Sequence, residues 1–231
     1  MSTLQKYSLE EIGQRLNDRR FPFSGITELG SCEFHFLKPS FYAGVVMHTG
    51  SRIRPELLDA ILVNKEDRFR EEDPYADAFI RDMPIRIIAR DSRFEYDLNR
   101  EKESCIYPYG KLKYGMEIWK RPLTSEEEEP GHKKHQEFHD LMDLLIEFIL
   151  KGNRYALVFD MHTYCYQREE KIPWYDDPNP EINLGTKAVN RELFGDAIES
   201  FMGGFSGQSI DTDQSIVTDQ SIDTGHGLSL I

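Results

Sequence analysis

The chain is poor in cysteine, and the three that it has, Cys32, Cys105 and Cys165, show no Cys-x-x-Cys spacing. That excludes a disulfide framework and a cysteine zinc knuckle, and leaves three reduced thiols. Long apolar runs are also missing. None approaches the ~18 residues of a membrane span, and residues 1–20 lack the basic start and apolar centre of a secretory signal. The expectation is a cytoplasmic protein without a membrane partner. Basic residues are scarce beside acidic ones, 28 Lys and Arg against 41 Asp and Glu, for a net charge of −13. Such a balance disfavours a nucleic-acid-binding surface, and an anionic substrate would need locally placed arginines.

At 231 residues the chain can bury one substantial core, which fits a single domain and a tail. Ser8 reads as the cap of a short helix with Leu9, Ile12 and Leu16 on one side, ending before Pro22. Strands are expected over Cys32–Leu37, Phe41–Met47, Ile85–Ala89 and the run from Tyr155 to Phe159, with helices over Pro55–Val63, Pro74–Ile80 and Asn190–Phe201. The carboxylate run Glu126–Glu129 before Pro130 reads as a solvated loop. A long helix should follow from His132 to Lys151, with Phe138, Leu141, Met142, Leu145 and Ile149 as its apolar stripe. This alternation predicts an α/β fold, a mixed, mainly parallel sheet flanked by helices, over residues 1–203. Beyond it, 204–231 is a repeat tail: Gln208–Asp213, Gln214–Asp219 and Gln220–Gly225 are near-copies at a six-residue period, without Lys or Arg. Such repeats read as low-complexity sequence with little packing.

Four constellations carry chemistry. Two strands end in histidine, the first running into His48-Thr49-Gly50-Ser51-Arg52 and the second into Asp160-Met161-His162. A third is Glu71-Glu72-Asp73-Pro74, where Asp73 would also serve as a helix cap. The fourth is Arg93-x-Glu95-x-Asp97-Leu98-Asn99-Arg100. A zinc hydrolase needs three His or carboxylate ligands and one open position. His48, Asp73 and His162 supply that set from three loops at one sheet edge, and Asp160 is placed to orient His162. Arg93 and Arg100 fork onto a substrate carboxylate with Asn99 adding a neutral bond, or else pair with Asp97 or Glu95. Arg52 stands beside them as a substrate contact. His132, His135 and His139 line one side of the long helix, with His139 the nearest to a site.

Taken in order, His48-Thr49-Gly50, Glu72-Asp73, Arg93 with Asp97-Leu98-Asn99-Arg100, Phe138-His139 and Asp160-Met161-His162 resemble the N-formylglutamate amidohydrolase family. The match covers roughly residues 40–165, and Asn183-Leu184-Gly185-Thr186 looks like a further family element. The resemblance implies a zinc-carboxypeptidase-like α/β fold and hydrolysis of a small N-acyl amino acid. It implies zinc held by His48, His162 and a carboxylate, Asp73 first and Glu72 second. Asn99 and Arg100 would bind the substrate carboxylate, with His139 and Arg52 as further contacts, and Arg93 and Arg100 would offset developing negative charge. One departure stands out: family members carry a late glutamate resembling a general base, whereas this chain has no glutamate after Glu199. The alternative function is therefore a relative that binds metal or a small carboxylate without turnover. Acyl group, amino-acid side chain and oligomeric state leave no trace in these motifs.

Overall fold

The computed structural model describes residues 4–113, 115–163, 182–186, 189–204, 210–211 and 228–230. Cys165 and nearly all of the 208–225 repeat lie outside the described residues. The strands are β1 (Lys6–Tyr7), β2 (Phe23–Thr27), β3 (Cys32–Phe36), β4 (Tyr42–Val46), β5 (Ile85–Ala89), β6 (Leu112–Lys113), β7 (Met116–Glu117), β8 (Leu157–Asp160), β9 (Ile182–Asn183), β10 (Ile210–Asp211) and β11 (Leu228–Leu230). The main sheet runs β1-β2-β3-β5-β4-β8-β11. β3 pairs antiparallel with both β2 and β5, while β5, β4 and β8 are parallel neighbours. The sheet is thus mixed and mainly parallel, as the alternation of elements implied.

Side chains alternate across the pleat. Ala43, Val45, Ile85, Ile87 and Val158 turn to the face covered by α1 (Leu9–Asn17) and α3 (Ser125–Gly152), where they meet Ile12, Leu16, Phe138, Leu141, Leu145 and Ile149. Burying each of the Val, Leu, Ile and Phe side chains among them contributes about 1.5–3 kcal/mol. On the opposite face Val46 packs on Ala76 and Ile80, and Leu157 and Phe159 lie against α4 (Arg191–Gly203). Ser8 closes a capping box with Glu11 at the start of α1, as the sequence indicated.

Three elements differ from expectation. The Glu126–Glu129 run lies inside α3, not in a loop. Thr124 caps the helix in a box with Glu127, and the carboxylates of the first turn sit where unpaired amides leave partial positive charge. Pro55–Val63 shortens to one 3₁₀ turn, Pro55–Leu57, because Ile61 is drawn into a bridge with Trp119. The Pro74–Ile80 helix is a 3₁₀ turn over Ala76–Ile80, and α2 (Lys65–Glu71), capped by Asn64, precedes it. No helix among the described residues is long and apolar enough to cross a membrane.

Candidate active site

The chain leaves β4 to form β5 on one side and later returns as β8 on the other. Loops beyond the carboxyl ends of parallel strands open a crevice at such a reversal. Three of the four constellations reach it from strand ends: His48 follows β4, Arg93 follows β5, Asp160 ends β8 and His162 lies just beyond it; the fourth joins them through Asp73. Gly50 makes the first loop possible, since a Cβ there would overlap the main chain of Arg90.

His48 is wholly buried, and neither ring nitrogen has a hydrogen bond among the described residues. Its Nε2 lies 3.3 Å from Asp97 Oδ1. Burial first, and the charge of Arg93 second, push its pKa down to about 4, so the imidazole is neutral and keeps a lone pair. Its ring centre is 5.4 Å from that of His162.

His162 is held at both nitrogens, Nδ1 at 2.6 Å from Asp73 Oδ2 and Nε2 at 3.0 Å from Asp160 Oδ2. Burial alone would lower its pKa, but Asp160 and Asp73 outweigh burial and push it up to about 10. Asp73 therefore reaches across to β8 and caps no helix. It also has a left-handed backbone, φ +44°, at a position before proline, where extended backbone is favoured. For a non-glycine residue that conformation costs about 1–2 kcal/mol. Its neighbour Glu72 turns elsewhere, accepting from Ser92 Oγ and lying 3.7 Å from Arg68 Nη1.

Asp97 is the hub of the fourth constellation. Its Oδ2 accepts from Arg93 Nη2 at 2.9 Å and from the Tyr107 hydroxyl, and its Oδ1 accepts from Asn99 N at 3.0 Å. Burial would raise the Asp97 pKa, yet Arg93, His48 and Tyr107 together hold it well below the usual carboxylate range. Arg93 also donates to the Glu71 carbonyl. The half-buried Arg100 guanidinium lies over the Tyr107 ring, 5.1 Å from its centre. His135 Nε2 is 2.8 Å from the Arg100 carbonyl, and His139 is hydrogen-bonded to the main chain of Leu98. The two histidines of α3 thus hold the loop that carries Asn99 and Arg100. Arg52 sits to one side, its guanidinium on Asp91 at 2.7 Å and on the Gly30 carbonyl at 2.6 Å.

The structure therefore brings His48, Asp73, His162 and Asp97 together. Among the described residues no three His, Cys, Asp or Glu side chains converge as a ready metal cluster, and Asp73 is hydrogen-bonded to His162. Sequence reasoning missed Ser92 and Tyr107, and no motif spacing would have singled them out.

A family model described as N-formylglutamate amidohydrolase matches residues 44–214. Two solved structures share the fold. One is an N-formylglutamate amidohydrolase from Ralstonia eutropha, 18% identical, with 74% of this chain covering 70% of that one at a TM-score of 0.53. The other is a gene product from Agrobacterium tumefaciens, 17% identical, with 75% of this chain covering 69% of that one at a TM-score of 0.56. No curated protein sequence matches the chain.

Proposed function

The chain belongs to the N-formylglutamate amidohydrolase family, and from that membership we propose that it is a cytoplasmic, zinc-dependent amidohydrolase cleaving a small N-acyl amino acid. The observation that carries the metal reading is His48. A wholly buried imidazole with two unbonded nitrogens is costly unless a ligand occupies one of them.

In donor chemistry, two imidazoles and a carboxylate are the ligand types that a zinc ion takes. His48 offers Nδ1 while Nε2 faces Asp97, and His162 offers Nδ1 on the side of Asp73 while Nε2 rests on Asp160. Each imidazole thus has a carboxylate behind it, the arrangement that orients metal-binding histidines. Asp73 would be the third ligand, a cation taking the place of the proton that its carboxylate now shares with His162. When bound, zinc supplies Lewis acidity toward an amide carbonyl and toward water.

The remaining residues handle the substrate. Arg100 offers a planar fork for a carboxylate, with Asn99 beside it, on a loop that His135 and His139 hold from behind. Arg93, paired with Asp97 and bonded to the Glu71 carbonyl, would act by the field that it still exerts at His48, where it opposes that of Asp97.

The test is formate release from N-formylglutamate by the full chain. Release is expected, lost on chelation and restored by zinc. No release from a zinc-loaded chain would contradict the proposal.

A further inference from the structure

We infer that Glu72 is a positioning residue for Asp73: anchored by Ser92 and Arg68, it fixes the left-handed turn that aims the Asp73 carboxylate at His162. The inference rests on the reading of Asp73 and His162 as a metal-holding pair.

Consecutive carboxylates in this turn take different partners. Asp73 reaches the end of β8 through His162, whereas Glu72 is buried toward the loop after β5 and accepts a hydrogen bond from the Ser92 hydroxyl on Oε1. The same oxygen is the ion partner of Arg68, whose Nε and Nη1 are buried without a hydrogen bond among the described residues. Ser92 is itself fixed: its amide donates to the Arg52 carbonyl at 2.8 Å, and its Oγ accepts from Phe94 N at 3.2 Å. One residue upstream, the Glu71 carbonyl accepts from Arg93 Nη1 at 3.2 Å. The turn is therefore moored at two successive residues to the strand end that also carries the Asp97 loop.

Mooring matters because the turn is not the backbone's own choice. Of the three non-glycine residues at positive φ among the described residues, two are Asp73 at +44° and Tyr75 at +68°, flanking a proline that favours extended backbone before it. Strain of this kind persists only where surrounding contacts over-determine it. Without the Glu72 anchor, Asp73 is free to relax to extended backbone and withdraw its carboxylate from His162.

The experiment compares Glu72→Ala, Glu72→Gln and Ser92→Ala with Asp73→Ala in the full chain, reading two quantities. One is the imidazole ¹⁵N and proton signal of His162 in the metal-free protein, which reports the Asp73 contact. The other is zinc affinity by competition titration. Glu72→Ala should lose the His162 signal and weaken zinc about 10–100-fold, Ser92→Ala should move both in the same direction, and Glu72→Gln, which still accepts from Ser92, should stay close to wild type. If Glu72→Ala does not fold, Ser92→Ala decides. Unchanged values in Glu72→Ala or Ser92→Ala would overturn the inference. So would a Glu72→Gln that loses zinc as Asp73→Ala does while keeping the His162 contact, since Glu72 would then be a ligand. If wild type binds no zinc but the His162 signal still depends on Glu72, the functional reading fails and the positioning role stands.

Discussion

Asp97 Oδ1 faces His48 Nε2 at 3.3 Å, with both side chains wholly buried. Although no hydrogen bond forms between them, a carboxylate charge at that distance favours the proton on Nε2 and leaves the lone pair on Nδ1. Asp97 also neutralises Arg93, which would otherwise be a buried charge without its carboxylate.

Replacing Asp97 by Asn keeps the shape and removes the charge. Zinc affinity should fall about 10–100-fold, and stability should fall by about 3 kcal/mol or more as Arg93 loses its counter-charge. Zinc titration and denaturant unfolding check the two effects separately. An Asp97→Asn protein with normal affinity would remove Asp97 from the site.

His135 makes stability depend on pH. Burial, then the field of His139, lowers its pKa from 6.5 to about 4. Below 6.5 the unfolded chain takes up a proton that the folded chain accepts only near 4. Its contribution is therefore complete above pH 6.5 and is lost as pH falls toward 4, by up to about 3 kcal/mol. His135→Gln keeps an N–H donor for the Arg100 carbonyl and should flatten that fall. Urea denaturation across the interval measures it, and parallel curves for the two proteins would contradict the argument.

Thr124 tests the start of α3. Its Oγ1 accepts from Glu127 N at 3.3 Å, and its own amide donates to Glu127 Oε2 at 2.9 Å. Thr124→Ala should cost about 1 kcal/mol, lowering Tm by about 2–4 °C in a chain of this size. No shift in a thermal melt would mean that the acidic run starts the helix without its cap.

What the sequence disclosed followed from apolar pattern. Ile85–Ala89 and the stripe from Phe138 to Ile149 are legible because buried surface demands a period, and the structure keeps both. α2 was illegible: Lys65–Glu71 is charged almost throughout, and its cap, Asn64, rather than an apolar face, starts it. Glu126–Glu129 misled because a run of like charges repels itself in packed surroundings and so reads as a solvated loop, yet such charges are favoured at a helix N-terminus. In the site, residue types at strand ends were visible, but their partners were not. His135 and His139 stood out by helical spacing, while the main-chain groups they hold belong to a loop 35 residues away from His135 and further still from His139, and Ser92 carries no signal until Glu72 is seen against it.

Metal analysis of the purified full chain, loaded with zinc and desalted, tests the central claim most directly. The account predicts about one zinc per chain, lost in His48→Ala and in His162→Ala while the fold is retained. Wild-type protein without stoichiometric zinc, or variants that hold as much as wild type, would contradict it.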